Sequence, residues 1–386
     1  HGSTALHILN GLAGAFIIEG DYDAAIKGFY AKKVKRRIVE NIFVFQNIDS
    51  SQDLKRQNPG PNKTGSAQQL INGKNNPTIS MQAGEVQWWR IVNATVGGNH
   101  GTIQQSVWDT LTAAGFKLKQ TAQDGVQFRW ENYDSQPFLS KTVPGGLVLA
   151  SGNRADILVQ APDKPTQIIV NGQPGGQTGG PIFTVAVTGT DLKMPFITDP
   201  ADYPKFPGFL NDLEAPAKSP ARTVKFGWDA GRTGPARSPG APAIGTPPHF
   251  TIDGKQFEQN GPKIDQCIEL NALEDWLIEN HTTVAHPFHI HVNPFQVIAI
   301  TTPGQTPYSP GKNQIWQDTI NLPPGKANAD GSITPGSVLI RHHFVDFTGT
   351  YVLHCHILGH EDRGMMQLVR VSPKGGNCQA SIPEHH

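Results

Sequence analysis

Charged side chains are scarce in this sequence, and those present cancel. Asp, Glu, Lys and Arg make up 17% of the 386 residues, and the formal net charge is zero. Without a net charge, the protein lacks the long-range attraction that draws basic proteins to nucleic acid or to anionic membrane surfaces. No apolar run approaches the ~18 residues that a membrane-spanning helix requires. We therefore expect neither nucleic acid nor a membrane as a partner.

Cysteine and methionine are also rare, with three and four copies. Cys355 lies between two histidines and is a candidate metal ligand. Cys267 and Cys378 remain, and the sequence leaves open whether they bond to each other, bond to another partner or stay reduced.

Glycine and proline are abundant instead, with 41 and 31 copies, well above the ~12% of residues that the two usually contribute together. Many turns and few charged residues favour an all-β protein over a helical one. The length allows two or three domains.

The densest concentration of reactive side chains lies near the end of the chain. The segment Thr350–Ile357 is rich in β-forming residues and is bracketed by glycines, so it predicts a buried strand. Because side chains alternate along a strand, His354 and His356 point to one face and Cys355 to the other. The next candidates, His360 and Met365, follow in a loop that can return to the cysteine side.

A second motif, His-Pro-Phe-His-Ile-His, begins at His286. His289 and His291 share one strand face, whereas His286 lies beyond the proline and can turn toward another site. Together the two motifs predict two ligand sets. The first contains one thiolate, two imidazoles and one thioether: His286, Cys355, His360 and Met365. The second is all imidazole: His289, His291, His354 and His356.

Thiolate, imidazole and a weak thioether are the ligands of a blue-copper electron-transfer centre. A single histidine in a sheet is usually structural, but six histidines and a cysteine in two short, phased motifs argue against that interpretation. Zinc also binds cysteine and histidine. However, zinc has little use for a thioether, and structural zinc sites favour closely spaced cysteine pairs.

The motifs His-Pro-Phe-His-Ile-His and His-Cys-His-x₃-His-x₄-Met resemble the C-terminal copper motifs of multicopper oxidases, the laccase-like family. The resemblance implies tandem cupredoxin-like Greek-key β-sandwiches and copper in a mononuclear type 1 site and a trinuclear type 2/type 3 cluster. It also implies a small-molecule reducing substrate, dioxygen as electron acceptor, and an extracellular or periplasmic location. Cys355 would then connect electron entry at one site to oxygen reduction at the other.

An internal repeat supports several copies of one β-domain. The pattern Ile-[Asn/Asp]-Gly-Lys occurs at Ile71–Lys74 and again at Ile252–Lys255, and each copy is followed by Trp-x₃-Asn. By resemblance we expect a remnant of a first cupredoxin domain with a linker at 1–62 and a copper-free second domain at 63–195. A linker at 196–217 and a third, copper-carrying domain at 218–386 follow. Within the second domain, Trp88, Trp89 and Trp108 are expected in the core, and Asp124-Gly125 in a hairpin turn.

The beginning of the chain resembles the end of the family's first domain. His1 matches the last, non-ligating histidine of that pattern, and Gly11–Glu19, Arg36–Ile48 and Thr223–Trp228 predict strands. The family's cluster draws on four His-x-His pairs, whereas this sequence contains two. We favour a piece of a longer oxidase. A protein with a type 1 copper only, acting as an electron carrier or an inactive copper-binding protein, is the alternative.

Two carboxylates lie close to the motifs. Glu361 matches the family's proton-relay carboxylate, and the competing role is to orient a ligand histidine. Asp318 matches a family motif and is expected to be structural. The four methionines disfavour oxidation of cuprous ion, which leaves phenols, aromatic amines or bilirubin-like pigments as reducing substrates.

Overall fold

The computed structural model describes most of the chain in nine stretches: 3–48, 68–97, 103, 105–133, 149–172, 180–229, 249–257, 263–312 and 314–379. These residues form two compact units. One contains 5–212 and 315–317, and the other contains 1–4, 213–314 and 318–386. His1 and the expected boundary at 62/63 lie outside the described residues, and the division of the first 195 residues into two domains stays a prediction.

Strands dominate both units. They are β1 (Val39–Ile48), β2 (Gln68–Ile71), β3 (Thr78–Gln82), β4 (Val86–Asn93), β5 (Lys117–Gln123), β6 (Val126–Gln127), β7 (Arg154–Gln160), β8 (Thr166–Asn171), β9 (Pro181–Thr188), β10 (Arg222–Asp229), β11 (His249–Ile252), β12 (Gln266–Glu269), β13 (Leu273–Asn280), β14 (His286–Ile290), β15 (Phe295–Thr301), β16 (Trp316–Gln317), β17 (Thr319–Leu322), β18 (Lys326–Ala327), β19 (Ile333–Thr334), β20 (Gly336–His343), β21 (Gly349–Cys355) and β22 (Met366–Ser372).

Helices are short. The α-helices are α1 (Thr4–Leu9), α2 (Asp21–Phe29), α3 (Gln105–Ala113) and α4 (Leu358–Glu361), with a π-helical turn at Tyr30–Val34 and 3₁₀ turns at Trp130–Asn132, Pro200–Asp202 and Gly208–Leu210. No helix in the described stretches combines the length and the apolar character needed to cross a membrane.

The unit of residues 5–212 is a two-sheet sandwich. Its sheets have the strand orders β2-β1-β4-β7-β5-β6 and β3-β9-β8. Trp89 from the first sheet contacts the Phe183 ring from the second edge-on, with 6.2 Å between ring centroids. Trp88, Trp89 and Trp108 are almost fully buried, which confirms their place in the core. The turn between β5 and β6 is formed by Asp124 and Gly125, as predicted.

The other unit is also a sandwich. One sheet contains five strands in the order β11-β10-β13-β20-β15, and the facing sheet has the order β12-β22-β21-β14-β17. Phe288 of β14 contacts Phe226 of β10 and Phe295 of β15, which join the two sheets through their inner faces. A disulfide between Cys267 and Cys378 answers the question that the sequence left open.

The internal repeat has one backbone geometry in both copies. Asn72 and Asp253 each adopt a positive φ, of 51° and 53°, in the turn after β2 and β11. In the first copy the Asn72 Oδ1 accepts a hydrogen bond from Val44 N–H at 2.8 Å. In the second, Asp253 Oδ1 accepts one from Lys225 N–H at the same distance. The two side chains thus lock equivalent turns to equivalent strands, which confirms that the chain repeats one β-unit.

The expected strand at Gly11–Glu19 is wrong. Gly11 has a φ of +87° at the end of α1, and the residues that follow belong to no strand. Phe16 and Ile18 are 90% and 81% exposed, so no neighbouring strand covers them among the described residues. An apolar pattern becomes a strand only when a sheet edge supplies hydrogen bonds and cover. The other expected strands are confirmed as β1, β10 and β21.

Candidate metal centres

The first candidate group gathers one thiol and two imidazoles from three separate elements. His286 begins β14, Cys355 ends β21 and His360 lies in α4, and their donor atoms all lie within 4.8 Å of one another. Cys355 Sγ is 3.4 Å from His286 Nδ1 and 3.8 Å from His360 Nδ1, and the two Nδ1 atoms are 3.2 Å apart. Antiparallel pairing of β14 with β21 brings the first two residues together.

Burial sets the protonation of this group. The pKa of Cys355 is raised far above its usual value because the thiol is buried, although Ile357 N–H donates to Sγ. Burial lowers the pKa of His286 to about 4 and that of His360 to about 3. Both imidazoles are therefore neutral and offer lone pairs at neutral pH. A metal cation that displaces the thiol proton would supply the positive charge that this buried thiolate requires.

Met365 is placed beside the same group by its backbone. Its carbonyl oxygen accepts a hydrogen bond from Cys355 N–H, and its N–H donates to His360 O, both at 3.0 Å. The side chain is fully buried. The turn that returns the chain requires Gly364, since its φ is +102° and a Cβ there would lie 2.8 Å from Gln256 Cβ.

Two residues that the sequence analysis missed fix the imidazoles of this group. The buried Thr282 hydroxyl lies 2.9 Å from His286 Nε2, which leaves Nδ1 to face the cysteine. The Phe250 ring stacks on the His360 ring, with centroids 3.9 Å apart and planes 14° from parallel. Thr282 is only four residues from His286, but no sequence motif marks it, and the Phe250 contact depends on how distant segments pack.

The second candidate group consists of His289, His291 and His354, whose donor atoms also lie within 4.8 Å of one another. The β14–β21 register places His289 opposite His354. His356 is outside this group, although its ring centroid is 5.6 Å from that of His289 and 5.5 Å from that of His354. Burial lowers the pKa of His291 to about 4 and that of His356 to about 3, so these rings are also neutral.

Each of two second-group histidines has a carboxylate at its Nδ1. Glu361 Oε2 lies 3.1 Å from His354 Nδ1, and Asp318 Oδ1 lies 3.4 Å from His289 Nδ1. A hydroxyl accompanies each carboxylate: Thr4 donates to Glu361 Oε1 at 3.0 Å, and Thr319 donates to Asp318 Oδ1 at 2.8 Å. With Nδ1 engaged in this way, Nε2 is the nitrogen left for a metal.

Glu361 is 1% exposed. Burial raises its pKa, but hydrogen bonds and the charge of His354, together with the Thr4 hydroxyl, outweigh burial, and the pKa is lowered overall. An ionised carboxylate is therefore held within the protein beside the histidine group. Such a group can orient an imidazole or exchange a proton with it.

The two groups share strands β14 and β21 but draw on alternate residues. His354 belongs to the histidine group and the adjacent Cys355 to the thiol group. One buried thiol with two neutral imidazoles suits a soft, one-electron metal such as copper, and a cluster of imidazoles suits copper as well. The donor sets of this chain thus fit copper at both places.

Comparisons with known proteins agree with this chemistry. A family profile described as multicopper oxidase matches residues 241–375. The multicopper oxidase of Staphylococcus aureus is 37% identical over 129 residues, which cover 32% of this chain and 25% of that protein. A laccase of Haloferax volcanii is 25% identical over 311 residues, 77% of this chain and 46% of that protein. The chain thus spans a quarter to a half of the length of these relatives.

The fold agrees too. The crystal structure of the McoA multicopper oxidase from the hyperthermophile Aquifex aeolicus superimposes with a TM-score of 0.66 at 20% identity, covering 96% of this chain and 74% of that one. The sandwiches are therefore cupredoxin-like, as expected from the sequence. The cofactor of multicopper oxidases is copper, in type 1 and trinuclear sites. Residues 241–375 thus match the multicopper oxidase family, and the fold of the chain resembles that of multicopper oxidases.

Proposed function

We propose that this chain is the copper-carrying part of a laccase-like oxidase, which oxidises small aromatic reductants and reduces dioxygen to water. One observation carries the proposal: the adjacent residues His354 and Cys355 contribute to two separate donor groups. Electrons that enter at the thiol group have only a few covalent bonds to cross before they reach the histidine group.

In this proposal His286, Cys355 and His360 would hold a type 1 copper, and the buried Met365 would supply a thioether beside it. Copper bound at the two groups supplies one-electron redox chemistry. Cys355 and the two imidazoles set its ligand field, and Thr282 and Phe250 hold those imidazoles in place. Burial of the group excludes water from the thiolate.

The second group in this proposal is this chain's share of the trinuclear site, with the ligands His289, His291, His354 and His356. The ionised Glu361, in contact with His354, is placed to hold a proton and pass it toward that group. A complete cluster of the family type takes two more histidine pairs than the sequence contains. That count favours, as second candidate, a protein with type 1 copper alone that carries electrons or binds copper without turnover.

Aromatic reductants are favoured by the surroundings of His360. Phe250 stacks on this ligand, and the Trp228 ring, 38% exposed, lies 5.9 Å from Phe250. An exposed aromatic side chain beside the electron-accepting group can stack with a phenol or an aromatic amine. The Cys267–Cys378 disulfide supports export to an extracellular or periplasmic location, because disulfides persist in oxidising compartments.

Oxygen uptake with a methoxyphenol, measured on the copper-loaded oxidase of which this chain is a part, tests the proposal. We expect uptake with the phenol, and none for Cys355→Ser. The variant Cys267→Ser/Cys378→Ser is the matched control, since it removes the disulfide sulfurs and leaves the Cys355 thiol, and it should keep uptake. Equal uptake by Cys355→Ser and the wild type would refute the proposed route. Visible bleaching by the phenol without oxygen uptake would favour the electron carrier.

A further inference from the structure

We infer that Thr4 is a positioning residue, whose hydroxyl fixes the Glu361 carboxylate so that its second oxygen orients the His354 imidazole. The contacts of Thr4, Glu361 and His354 are observed in this chain, whereas the expected effect on copper binding rests on the proposed function. Thr4 and Glu361 are separated by 357 residues in sequence, so no local motif relates them.

The geometry is a relay of three side chains. Thr4 Oγ1 donates to Glu361 Oε1 at 3.0 Å, and Oε2 of the same carboxylate lies 3.1 Å from His354 Nδ1. Glu361 and His354 are both almost fully buried. A carboxylate held at one oxygen has a defined plane, and that plane sets the direction from which the other oxygen meets the imidazole.

A second contact fixes Thr4 itself. Its backbone N–H donates to Asp362 Oδ1 at 2.8 Å. Thr4 thus donates two hydrogen bonds, one to each of the adjacent acidic residues Glu361 and Asp362 at the end of α4. Because the backbone contact does not involve the hydroxyl, removal of the hydroxyl alone leaves Thr4 tethered.

An ordinary capping role does not describe this hydroxyl. A threonine at the start of a helix usually accepts a hydrogen bond from an N–H two or three residues later in the same helix. Here the Thr4 hydroxyl instead donates to a carboxylate that touches a second-group histidine. A related arrangement occurs at His289, where Thr319 donates to Asp318 Oδ1, but there the hydroxyl also lies 2.9 Å from the ring Nδ1 and the Asp318 carbonyl oxygen lies 3.0 Å from it.

The two contacts make the protonated nitrogen of His354 predictable. His354 Nδ1 lies 3.1 Å from both Glu361 Oε2 and the Cys355 carbonyl oxygen. Two acceptors at Nδ1 favour the tautomer with its proton there, which leaves Nε2 without a proton and able to bind a metal. Without the Thr4 hydroxyl, the carboxylate can rotate and its contact with Nδ1 loosens. The Cys355 carbonyl then has to hold the Nδ1 proton without the carboxylate, and the Nε2-protonated tautomer of His354 should gain population.

Thr4→Val and Thr4→Ser test this inference on the full chain. The first substitution removes the hydroxyl at almost unchanged volume, and the second keeps it. Thr112→Val is the matched control, because the Thr112 hydroxyl bonds only locally, to Asp109 O at 3.1 Å in α3. The first readout is the ¹⁵N chemical shift of the His354 ring in metal-free protein, which reports the tautomer without copper or turnover.

We expect the wild type, Thr4→Ser and Thr112→Val to show the Nδ1-protonated tautomer, and Thr4→Val to shift toward a mixture. Asp362→Ala removes the partner of the Thr4 backbone N–H and should shift the signal in the same direction. This variant takes the place of Thr4→Val in the test if Thr4→Val does not fold. Unchanged His354 shifts in both Thr4→Val and Asp362→Ala would overturn the inference.

Copper affinity is the second readout. Loss of an orienting partner around a metal ligand typically weakens metal binding by about 10-fold or more, so copper should bind Thr4→Val about 10-fold more weakly and Thr4→Ser as in the wild type. If Thr4→Val changes the tautomer but the histidine group binds no copper in the wild type either, the positioning role stands and the proposed function is wrong. A loss of affinity that Thr4→Ser does not restore would contradict the role of the hydroxyl.

Discussion

His286 and His360 present their Nδ1 atoms to each other across 3.2 Å. The two imidazoles have pKa values of about 4 and about 3, so neither carries a charge at neutral pH. Cys355 lies beside both with its thiol pKa raised by burial. A buried copper ion requires donors that converge on one point and carry no positive charge, and these three side chains meet that requirement.

Cys355→Ser should abolish the intense visible absorption of the copper-loaded protein. That absorption requires a copper–thiolate bond, and a serine hydroxyl does not supply one. The visible spectrum and the copper content check this. Persistence of the band would place the thiolate elsewhere and contradict the assignment of Cys355.

Met365→Leu should raise the reduction potential of the mononuclear copper while the blue colour remains. A thioether donates electron density to the oxidised metal, and its loss destabilises that state. A redox titration followed by visible absorption measures the change, with Met366→Leu as the neighbouring control. An unchanged or lowered potential in Met365→Leu would refute its role as axial ligand.

Thr282→Val should weaken copper binding at the thiol group by roughly 10-fold, because His286 loses the partner at its Nε2. The repeat offers a matched control. Thr95 bonds Asn93 Oδ1 as Thr282 bonds Asn280 Oδ1, but in the unit that lacks the copper motifs. Copper titrations of Thr282→Val and Thr95→Val check this, and equal affinity in the two variants would contradict the role of Thr282.

His342 should make the fold sensitive to acid. The ring is fully buried, contacts the Phe344 ring at a tilt with 4.1 Å between centroids, and lies near Trp276. Its pKa is lowered to about 3, chiefly by burial and further by His343, and a backbone contact at Asn293 opposes this only in part. In the unfolded chain the pKa returns to about 6.5.

Between these values the unfolded chain binds a proton that the folded chain does not. The free energy of unfolding therefore falls as the pH is lowered from about 6.5 toward 3, by at most about 1.4 kcal/mol per pH unit from this residue. Denaturant titrations of the wild type and His342→Leu over that pH range measure the difference. If the two proteins lose stability in parallel, His342 is not the source.

The sequence was sufficient to predict those parts of the site that depend on local spacing. Alternation along β21 separates Cys355 from His354, and the β14 motif separates His286 from His289. The sequence also predicted the repeat, since Asn-Gly and Asp-Gly specify the same turn after β2 and β11. These features need only the residues in one short segment.

The parts that the sequence did not reveal depend on distant segments. Thr4 reaches Glu361 across 357 residues, and the Cys267–Cys378 disulfide spans 111. Neither partner carries a local signal. The expected strand at Gly11–Glu19 failed for the same reason, because strand formation depends on a neighbour that a single segment does not show.

Copper per chain, measured together with the visible spectrum, tests the central claim most directly. We predict an intense thiolate absorption that requires Cys355, and copper beyond one ion per chain that is lost in His289→Ala/His291→Ala while the absorption stays. A single copper ion, with its absorption unaffected by the histidine substitutions, would contradict the two-site account. Absence of the thiolate band from copper-loaded protein would contradict the assignment of the mononuclear site itself.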